Sequence, residues 1–165
     1  MGAAEALEFE PLKLPEAAAV KETLSLIINA PAELSAVAKA KPTRIRPNSK
    51  DWYGCVLLGD KDEVLGAILS DLEGTVRFGG RLLMLPKVPC DDFIKNKNPS
   101  EDVLDACSEV FNTLCSVFNH VSGNEHVRIA PLGQLSAQPI DWTKTARRRL
   151  EYKVKDYGHL VLLVR

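Results

Sequence analysis

The sequence lacks the features that are typical of a membrane-spanning protein, a secreted protein or a metal-binding protein. No apolar run approaches the ~20 residues of a membrane span. Residues 1–11 have no basic region followed by an apolar one, so we expect no secretory signal. The cysteines form no Cys-x-x-Cys pair and have no histidine at ligand spacing. We therefore expect a cytoplasmic protein with reduced, mostly buried thiols and no metal of its own.

Phosphate-binding loops and an excess of charge are also missing. Neither Gly-x-Gly-x-x-Gly nor Gly-Lys-Ser/Thr occurs, and the net charge of −1 does not favour nucleic acid as a partner. The run Arg147 to Arg149 fits a nucleic-acid contact or, better in a chain that is not basic, a charge-guarded edge strand. His120, His126 and His159 are scattered, and no serine or cysteine stands beside a histidine and an acid, so a catalytic triad is unsupported.

The composition is that of an ordinary globular protein. Its 165 residues are 45% hydrophobic and 26% charged, which fits one domain, residues 1–165, with a substantial core. Residues 1–14 carry no firm pattern, and we interpret them as a disordered end or an early strand.

The first half of the chain predicts a helix followed by a β-hairpin. Pro15 fits the first turn of an amphipathic helix that Pro31 ends. Residues 32–50, rich in alanine, lysine and proline, predict a short helical piece and then a loop. Residues 52–58 are rich in aromatic and branched side chains and pair with a return strand over 64–69, across a turn.

A glycine-containing segment follows the hairpin. Residues 71–85 predict a helix despite three glycines, and we expect this helix to pack tightly on a neighbouring helix or on the sheet. The alternative is that Gly79 and Gly80 form a turn between two strands. Residues 86–99 predict a polar loop that contains Cys90, next to two carboxylates that would raise the pKa of its thiol.

The C-terminal part predicts strands. Residues 127–129 form a short strand, and 131–146, with Pro139 and Trp142, form a long connection. In residues 147–155 Leu150, Tyr152 and Val154 are predicted to face inward and Arg149, Glu151, Lys153 and Lys155 outward. A turn and a buried strand over 160–164 complete a hairpin. The fold class is therefore α+β, with two or three long helices packed on an antiparallel-rich sheet.

The most informative stretch is residues 100–121, SEDVLDACSEVFNTLCSVFNHV. Ser100 is a good N-cap, Glu101 and Asp102 suit the positive end of the helix dipole, and Gly123 is the predicted end. The positions that recur at three- and four-residue spacing form one buried face. They are Val103, Cys107, Val110, Phe111, Leu114, Val117, Phe118 and Val121.

The opposite face of this helix is polar and carries no Lys or Arg. At about 100° per residue, Asp105, Glu109, Asn112 and Ser116 fall within about 60° of one another. This face is either a plain solvated surface or a binding surface with a carboxylate and an amide one turn apart.

The pattern Asp-x-x-x-Glu-x-x-Asn, formed by Asp105, Glu109 and Asn112, resembles the signature of the CheC/CheX/FliY family. The family pattern is Asp or Ser, then Glu, then Asn, with a proline some twenty residues on; Pro131 is nearby, a few residues early. A hairpin and a helix before the motif helix, and strands after it, are similar to the family's architecture. Glu22 and Asn29 do not repeat the motif, so at most one site is present, as in CheX-like members.

The resemblance implies a fold, an activity and a partner. It implies a CheX/CheC-like domain that dephosphorylates a CheY-like receiver, with Asn112 orienting the attacking water, Glu109 pairing with the receiver's active-site lysine and Asp105 in support. The protein would need no cofactor of its own, because Mg²⁺ belongs to the receiver. The competing hypothesis is a non-catalytic interaction module of the same fold, since function lives in the site.

Other hypotheses have less support from the sequence. Asp91 and Asp92 lack a third ligand for a metal. A small-ligand site at loop 86–99 would need an apolar pocket. The C-terminal hairpin offers an edge for a homodimer, and CheX-like proteins are similar in dimerising through strands.

Overall fold

The computed structural model describes residues 12–38, 43–46, 48–138 and 148–165. Within these ranges the helices are α1 (Ala17–Ile28), α2 (Leu72–Leu82), α3 (Lys87–Lys95) and α4 (Glu101–Asn119). The strands are β1 (Leu34–Ala36), β2 (Trp52–Leu58), β3 (Val64–Asp71), β4 (Arg128–Ile129), β5 (Gly133–Gln134), β6 (Arg148–Val154) and β7 (Gly158–Val164). A single 3-10 turn, Leu135–Ala137, lies between β5 and β6 in the described part. The α+β class is confirmed, with one helix more than expected.

The strands form one seven-stranded sheet in which the described pairings are all antiparallel. The strand order is β1-β6-β7-β3-β2-β4, and β5 also pairs with β2. Both predicted hairpins are confirmed: Cys55 lies opposite Ile68 in β2–β3, and Tyr152 lies opposite Leu160 in β6–β7. The C-terminal hairpin is interior to the sheet, because β1 covers β6 and β3 covers β7. The predicted dimerisation edge on this hairpin is therefore occupied by β1 where β1 and β6 pair.

Each face of the sheet carries a cluster of buried apolar side chains. On one face, side chains of α1 and α4 share a core with alternate residues of the strands, such as Cys55, Ile68 and Leu162. On the other face, a second cluster around Trp52 and Val161 is covered by side chains of the connecting segments. The helices therefore lie on one side of the sheet and present their outer surfaces to solvent.

Helix α4 packs against both α1 and α2. The backbone N–H of Lys13, just before α1, donates to Asn124 Oδ1 (2.7 Å), and Asn124 Nδ2 donates to the Lys13 carbonyl (2.9 Å). This places the start of α1 at the C-terminal end of α4. At the other end of α1, Arg81 Nε of α2 donates to the Ile28 carbonyl (2.9 Å). These two links hold the three helices in one layer.

Glycine allows α2 to lie directly on α4. A Cβ at Gly79 would lie 2.2 Å from the Val103 carbonyl oxygen, which is closer than non-bonded atoms approach. The start of α2 is capped by Asp71, whose Oδ1 accepts from the Gly74 amide (2.8 Å). The prediction of a helix that packs tightly on its neighbour is confirmed, and the alternative of a Gly79-Gly80 turn between strands is wrong.

Two predictions about local structure are wrong. The described part of residues 32–50, which lacks 39–42 and 47, contains β1 and no helix, because pairing with β6 decides the conformation: Ser35 lies opposite Lys153. Residues 86–99 contain α3 in place of a continuous loop. Burial of Cys90 against α2 fixes this short helix, and a Cβ at Gly80 would lie 2.5 Å from Cys90 Sγ.

The predicted outward position of Glu151 needs correction. Its side chain points away from the helices but is only 6% exposed, because a connecting segment covers that face. Arg149 Nη2 lies 2.6 Å from Glu151 Oε2, and it also donates to the Thr43 carbonyl (2.8 Å). The Thr43 amide donates to the same Glu151 oxygen (3.2 Å). Lys153 and Lys155 are exposed, as predicted.

Several predictions fall wholly or partly outside the described residues. These are the disordered end or early strand before Leu12, the parts of the long connection that hold Pro139 and Trp142, and the contact assigned to Arg147. The assignment of residues 1–165 to one domain stays a prediction.

We predict that Gly79→Ala lowers the free energy of unfolding by about 1–3 kcal/mol. The added methyl group meets a backbone oxygen that cannot move without shifting α4, and this cost exceeds the gain of about 0.5–1 kcal/mol in helix propensity. Urea unfolding followed by circular dichroism measures the change.

Gly80→Ala is the matched control for this substitution. Its methyl group meets the Sγ atom of Cys90, a side-chain atom that can rotate, so we expect a smaller loss. A Gly79→Ala protein as stable as the wild type would contradict the tight contact between α2 and α4.

Candidate functional site

The motif helix α4 starts where the sequence predicts and ends earlier. Ser100 Oγ accepts from the Val103 amide (3.3 Å), and Glu101 and Asp102 occupy the first turn. The last helical residue is Asn119 and His120 is the C-cap. The predicted end at Gly123 is therefore a few residues too late; Gly123, with φ +87°, belongs to the turn that follows.

One side of α4 is buried as predicted. The predicted stripe side chains that are nearly inaccessible to solvent are Val103, Cys107, Val110, Phe111, Leu114, Val117 and Phe118. Val121, beyond the helix end, is half-buried. Their burial against the sheet fixes which side of the helix faces solvent.

The side chains of the sequence motif lie on the outer face. Asp105, Glu109 and Asn112 are all exposed, and Ser116 is half-buried. Asn112 follows Glu109 by three positions in the helix, a rise of about 4.5 Å that makes them surface neighbours. The structure therefore brings the predicted carboxylate and amide side by side, with Asp105 one turn towards the N-terminus.

The neighbours of the pair bind their own helix, whereas the pair does not. Thr113 Oγ1 donates to the Glu109 carbonyl (3.0 Å), and Ser116 Oγ donates to the Thr113 carbonyl (2.6 Å). His120 Nδ1 lies 2.6 Å from the Ser116 carbonyl and must donate to it, because a carbonyl oxygen only accepts. The side chains of Glu109 and Asn112 have no partner among the residues that the structure describes. Both are free to bind a visiting molecule.

The thiols are not part of this site. All four cysteines are buried and unpaired. Burial raises the pKa of Cys115 to about 11 and raises those of Cys55 and Cys107 further. The thiol of Cys90 also has a raised pKa, mainly through burial, with Arg77 opposing the shift and Asp91 adding to it. The cysteines are therefore protonated, inert core residues.

The other candidate groups are engaged in structural contacts or lie apart. Asp91 accepts from Lys87 Nζ (2.6 Å) and Arg77 Nη2 (2.5 Å), and these bonds lower the pKa of its carboxyl group. Within the described ranges no three His, Cys, Asp or Glu side chains gather as a metal site would require. His159 Nδ1 contacts Asp71 Oδ2 (2.9 Å). No described helix has both the length and the apolar character that crossing a membrane demands.

No protein-family model matches the sequence, and no curated protein matches it. Solved structures do match over most of the chain, and they define a common α+β fold. A chain in the CheX–CheY–BeF3–Mg²⁺ complex of Borrelia burgdorferi is 18% identical, with a TM-score of 0.55, over 88% of this chain and 92% of that one. A chain in the FliM–SpeE complex of H. pylori is 11% identical, with a TM-score of 0.61, over 90% and 80%. FliY of Thermotoga maritima is 10% identical, with a TM-score of 0.54, over 88% and 82%. The protein therefore has the CheC/CheX/FliY-type fold.

Two features near α4 were not recognised from the sequence. Asn119 clamps the chain after the helix: its Nδ2 donates to the Val127 carbonyl (2.9 Å), and the Val127 amide donates to its Oδ1 (2.8 Å). Asn119 lies outside the pattern that contains Asn112, and no local feature of the sequence indicates its role. The second feature is a run of exposed apolar residues, Leu82 to Met84, at the end of α2. Its signal is the apolar segment LLML directly before Pro86.

We predict that Asn112→Ala changes the free energy of unfolding by less than about 0.5 kcal/mol, because the side chain is exposed and has no partner in the described chain. Asn119→Ala is the matched substitution seven residues along the same helix. It breaks two hydrogen bonds and should cost about 1–3 kcal/mol. Urea unfolding of both variants measures the difference, and equal losses would contradict the assignment of Asn112 as a side chain free for binding.

Proposed function

We propose that the protein is a phosphatase of a phosphorylated CheY-like receiver. The observation that supports this most is the exposed, unpartnered pair Glu109 and Asn112 on α4, a helix without Lys or Arg. A carboxylate and an amide held at fixed separation by a rigid helix are suited to entering the active site of another protein.

The chemistry asks little of the visiting protein. Water attacks the phosphorus of an aspartyl phosphate, the bond from phosphorus to the carboxyl oxygen breaks, and the products are the free carboxylate and inorganic phosphate. The acyl phosphate is already reactive, and the receiver's Mg²⁺ neutralises the developing charge. The remaining requirement is a water molecule in line with the bond that breaks. The protein thus supplies positioning and needs no metal of its own.

Asn112 is the group that positions this water. Its amide oxygen accepts a hydrogen bond from the water, while its amide nitrogen donates to a phosphoryl oxygen. Exposure allows both contacts, and the absence of a described intramolecular partner means that no bond within the chain must break first.

Glu109 anchors the partner and Asp105 supports it. The Glu109 carboxylate, one turn before Asn112, forms an ion pair with the active-site lysine of the receiver. Asp105 lies one turn further towards the N-terminus, where its charge adds to the attraction for that lysine. These contacts set the orientation in which Asn112 faces the phosphoryl group.

The fold adds support, because a similar structure is that of a CheX–CheY complex containing BeF3 and Mg²⁺. BeF3⁻ has the shape and charge of a phosphoryl group, so that complex holds CheY in a form that stands for its phosphorylated state. We propose the same type of partner for the present protein, and we propose that the protein acts in the cytoplasm.

A second candidate function is a non-catalytic interaction module. It is favoured by the structural similarity to a chain of the FliM–SpeE complex, in which the same fold occurs in a protein–protein assembly. This function predicts partner binding that is indifferent to receiver phosphorylation and to Asn112→Ala.

We predict that Asn112→Ala slows the dephosphorylation of a phospho-receiver about 100-fold or more at saturating protein, because the attacking water is no longer oriented. Glu109→Ala should chiefly raise the half-saturating concentration, by about tenfold or more, because one partner of an interfacial ion pair is lost. The measurement is the decay of phosphorylated receiver after acetyl phosphate has been removed.

Asn98→Ala is the control, because Asn98 is an exposed asparagine before α4 and outside the motif. It should leave the decay unchanged. If no phosphorylated CheY-like receiver loses its phosphoryl group faster with the wild-type protein than without it, the enzymatic function is ruled out. The interaction module then remains as the proposed function.

A further inference from the structure

The turn between α2 and α3 exposes an unusual amount of apolar surface. Leu82 and Leu83 are 44% and 42% exposed, and Met84 is 85% exposed. Val88, in the first turn of α3, is 68% exposed. Consecutive exposed apolar side chains are rare on a surface that contacts only water, and they mark interaction sites. We refer to Leu82, Leu83, Met84 and Val88 as the apolar lip.

The apolar lip lies close to the N-terminal part of α4. Leu82 follows Gly79 by three residues, and Gly79 touches the backbone of Val103. Glu109 lies about 9 Å further along α4 than Val103. A typical interface buries about 800 Å² on each partner, equivalent to a disc about 16 Å in radius. A protein docked on Glu109 and Asn112 is therefore large enough to reach the apolar lip as well.

The charge around the apolar lip is opposite to the charge of α4. Arg81 and Lys87 flank it and are exposed, and Asp92, one turn after Val88 on α3, adds one exposed carboxylate. Lys87 pairs with Asp91, which Arg77 also contacts, so this group of three keeps a net positive charge. The charged side chains on the outer face of α4 are all carboxylates.

This combination of apolar side chains and positive flanks suits a phosphorylated receiver. The phosphorylation site holds Mg²⁺ through carboxylates and phosphate oxygens, so we expect its rim to be acidic. The carboxylates of α4 would repel an acidic rim, and on their own they attract only the single lysine that pairs with Glu109. The positive flanks of the apolar lip attract it, and the apolar side chains supply area that excludes water.

We propose that the apolar lip is the second half of the receiver-docking surface and sets the affinity for the partner, while Glu109 and Asn112 carry the chemistry. This inference rests on the proposed function. The receiver packs apolar surface on Met84 and Val88 and places acidic side chains near Arg81 and Lys87.

The test uses the full chain and a CheY-like receiver loaded with Mg²⁺ and BeF3⁻, with the dissociation constant measured by titration calorimetry. Met84→Glu should weaken binding about tenfold or more, because a charge replaces a buried apolar contact and repels the acidic rim. Val88→Glu should weaken it in the same direction. Met84→Leu keeps the apolar surface and should bind within about twofold of the wild type.

Ala137→Glu is the matched control, since Ala137 is exposed at the end of the 3-10 turn whose Leu135 belongs to the second core cluster, on the other side of the sheet. It adds the same charge away from the proposed interface and should not change the dissociation constant.

The decay of phosphorylated receiver is the second measurement. For Met84→Glu it should show a higher half-saturating concentration with an unchanged maximal rate. Thermal melts of all variants confirm that each is folded.

The failure of this inference is distinguishable from failure of the proposed function. If Met84→Glu and Val88→Glu bind the loaded receiver as tightly as the wild type, while Asn112→Ala still abolishes the accelerated decay, the apolar lip is not part of the interface and the phosphatase function stands. If the wild-type protein neither binds the loaded receiver nor accelerates decay, both proposals are overturned.

Discussion

The packing of α4 between a sheet and two flanking helices is the constraint on which the candidate site depends. Its apolar side is buried against the sheet, and the carbonyl of Val103 lies against a glycine of α2. The end of α4 is fixed to the following strand by Asn119. A helix held at three places cannot rotate about its axis, so Asp105, Glu109 and Asn112 keep one orientation towards solvent. The rigidity of the site therefore originates in side chains that a partner never touches.

Hydrogen bonds within α4 occupy some of the polar side chains near its outer face and leave others without a partner in the described chain. Thr113 and Ser116 satisfy their hydroxyl groups on backbone carbonyls, and His120 does the same at the helix end. Glu109 and Asn112 have no such contact in the described chain, so these two side chains, like that of the exposed Asp105, are available to a partner. An exposed carboxylate and amide one turn apart, without partners in the described chain, are what the proposed binding face requires.

The sequence predicts the features that follow from periodicity and capping, and it fails where tertiary contacts decide. The apolar stripe and the Ser100 cap specify α4, and alternation with turn residues specifies both hairpins. Residues 34–36 became a strand because β6 offers hydrogen bonds that local propensity does not reveal. Helix α3 is short and weakly patterned, and its stability comes from Cys90 and Asp91 packing on α2. The burial of Glu151 depends on a distant segment around Thr43. On the candidate surface, the motif predicted the exposed carboxylate and amide, whereas the apolar lip depends on which leucines remain exposed after folding.

The similarity to structures of CheX, FliM and FliY shows the fold alone, so the proposed activity has to be tested at α4. The most direct measurement is a crystal structure of this protein bound to a CheY-like receiver that carries Mg²⁺ and BeF3⁻. The account predicts that the amide of Asn112 lies within hydrogen-bond distance of a BeF3⁻ fluorine or of the water in line with it, and that Glu109 pairs with the receiver's lysine. A complex in which the receiver docks on another surface, with Asn112 and Glu109 still in solvent, would contradict it.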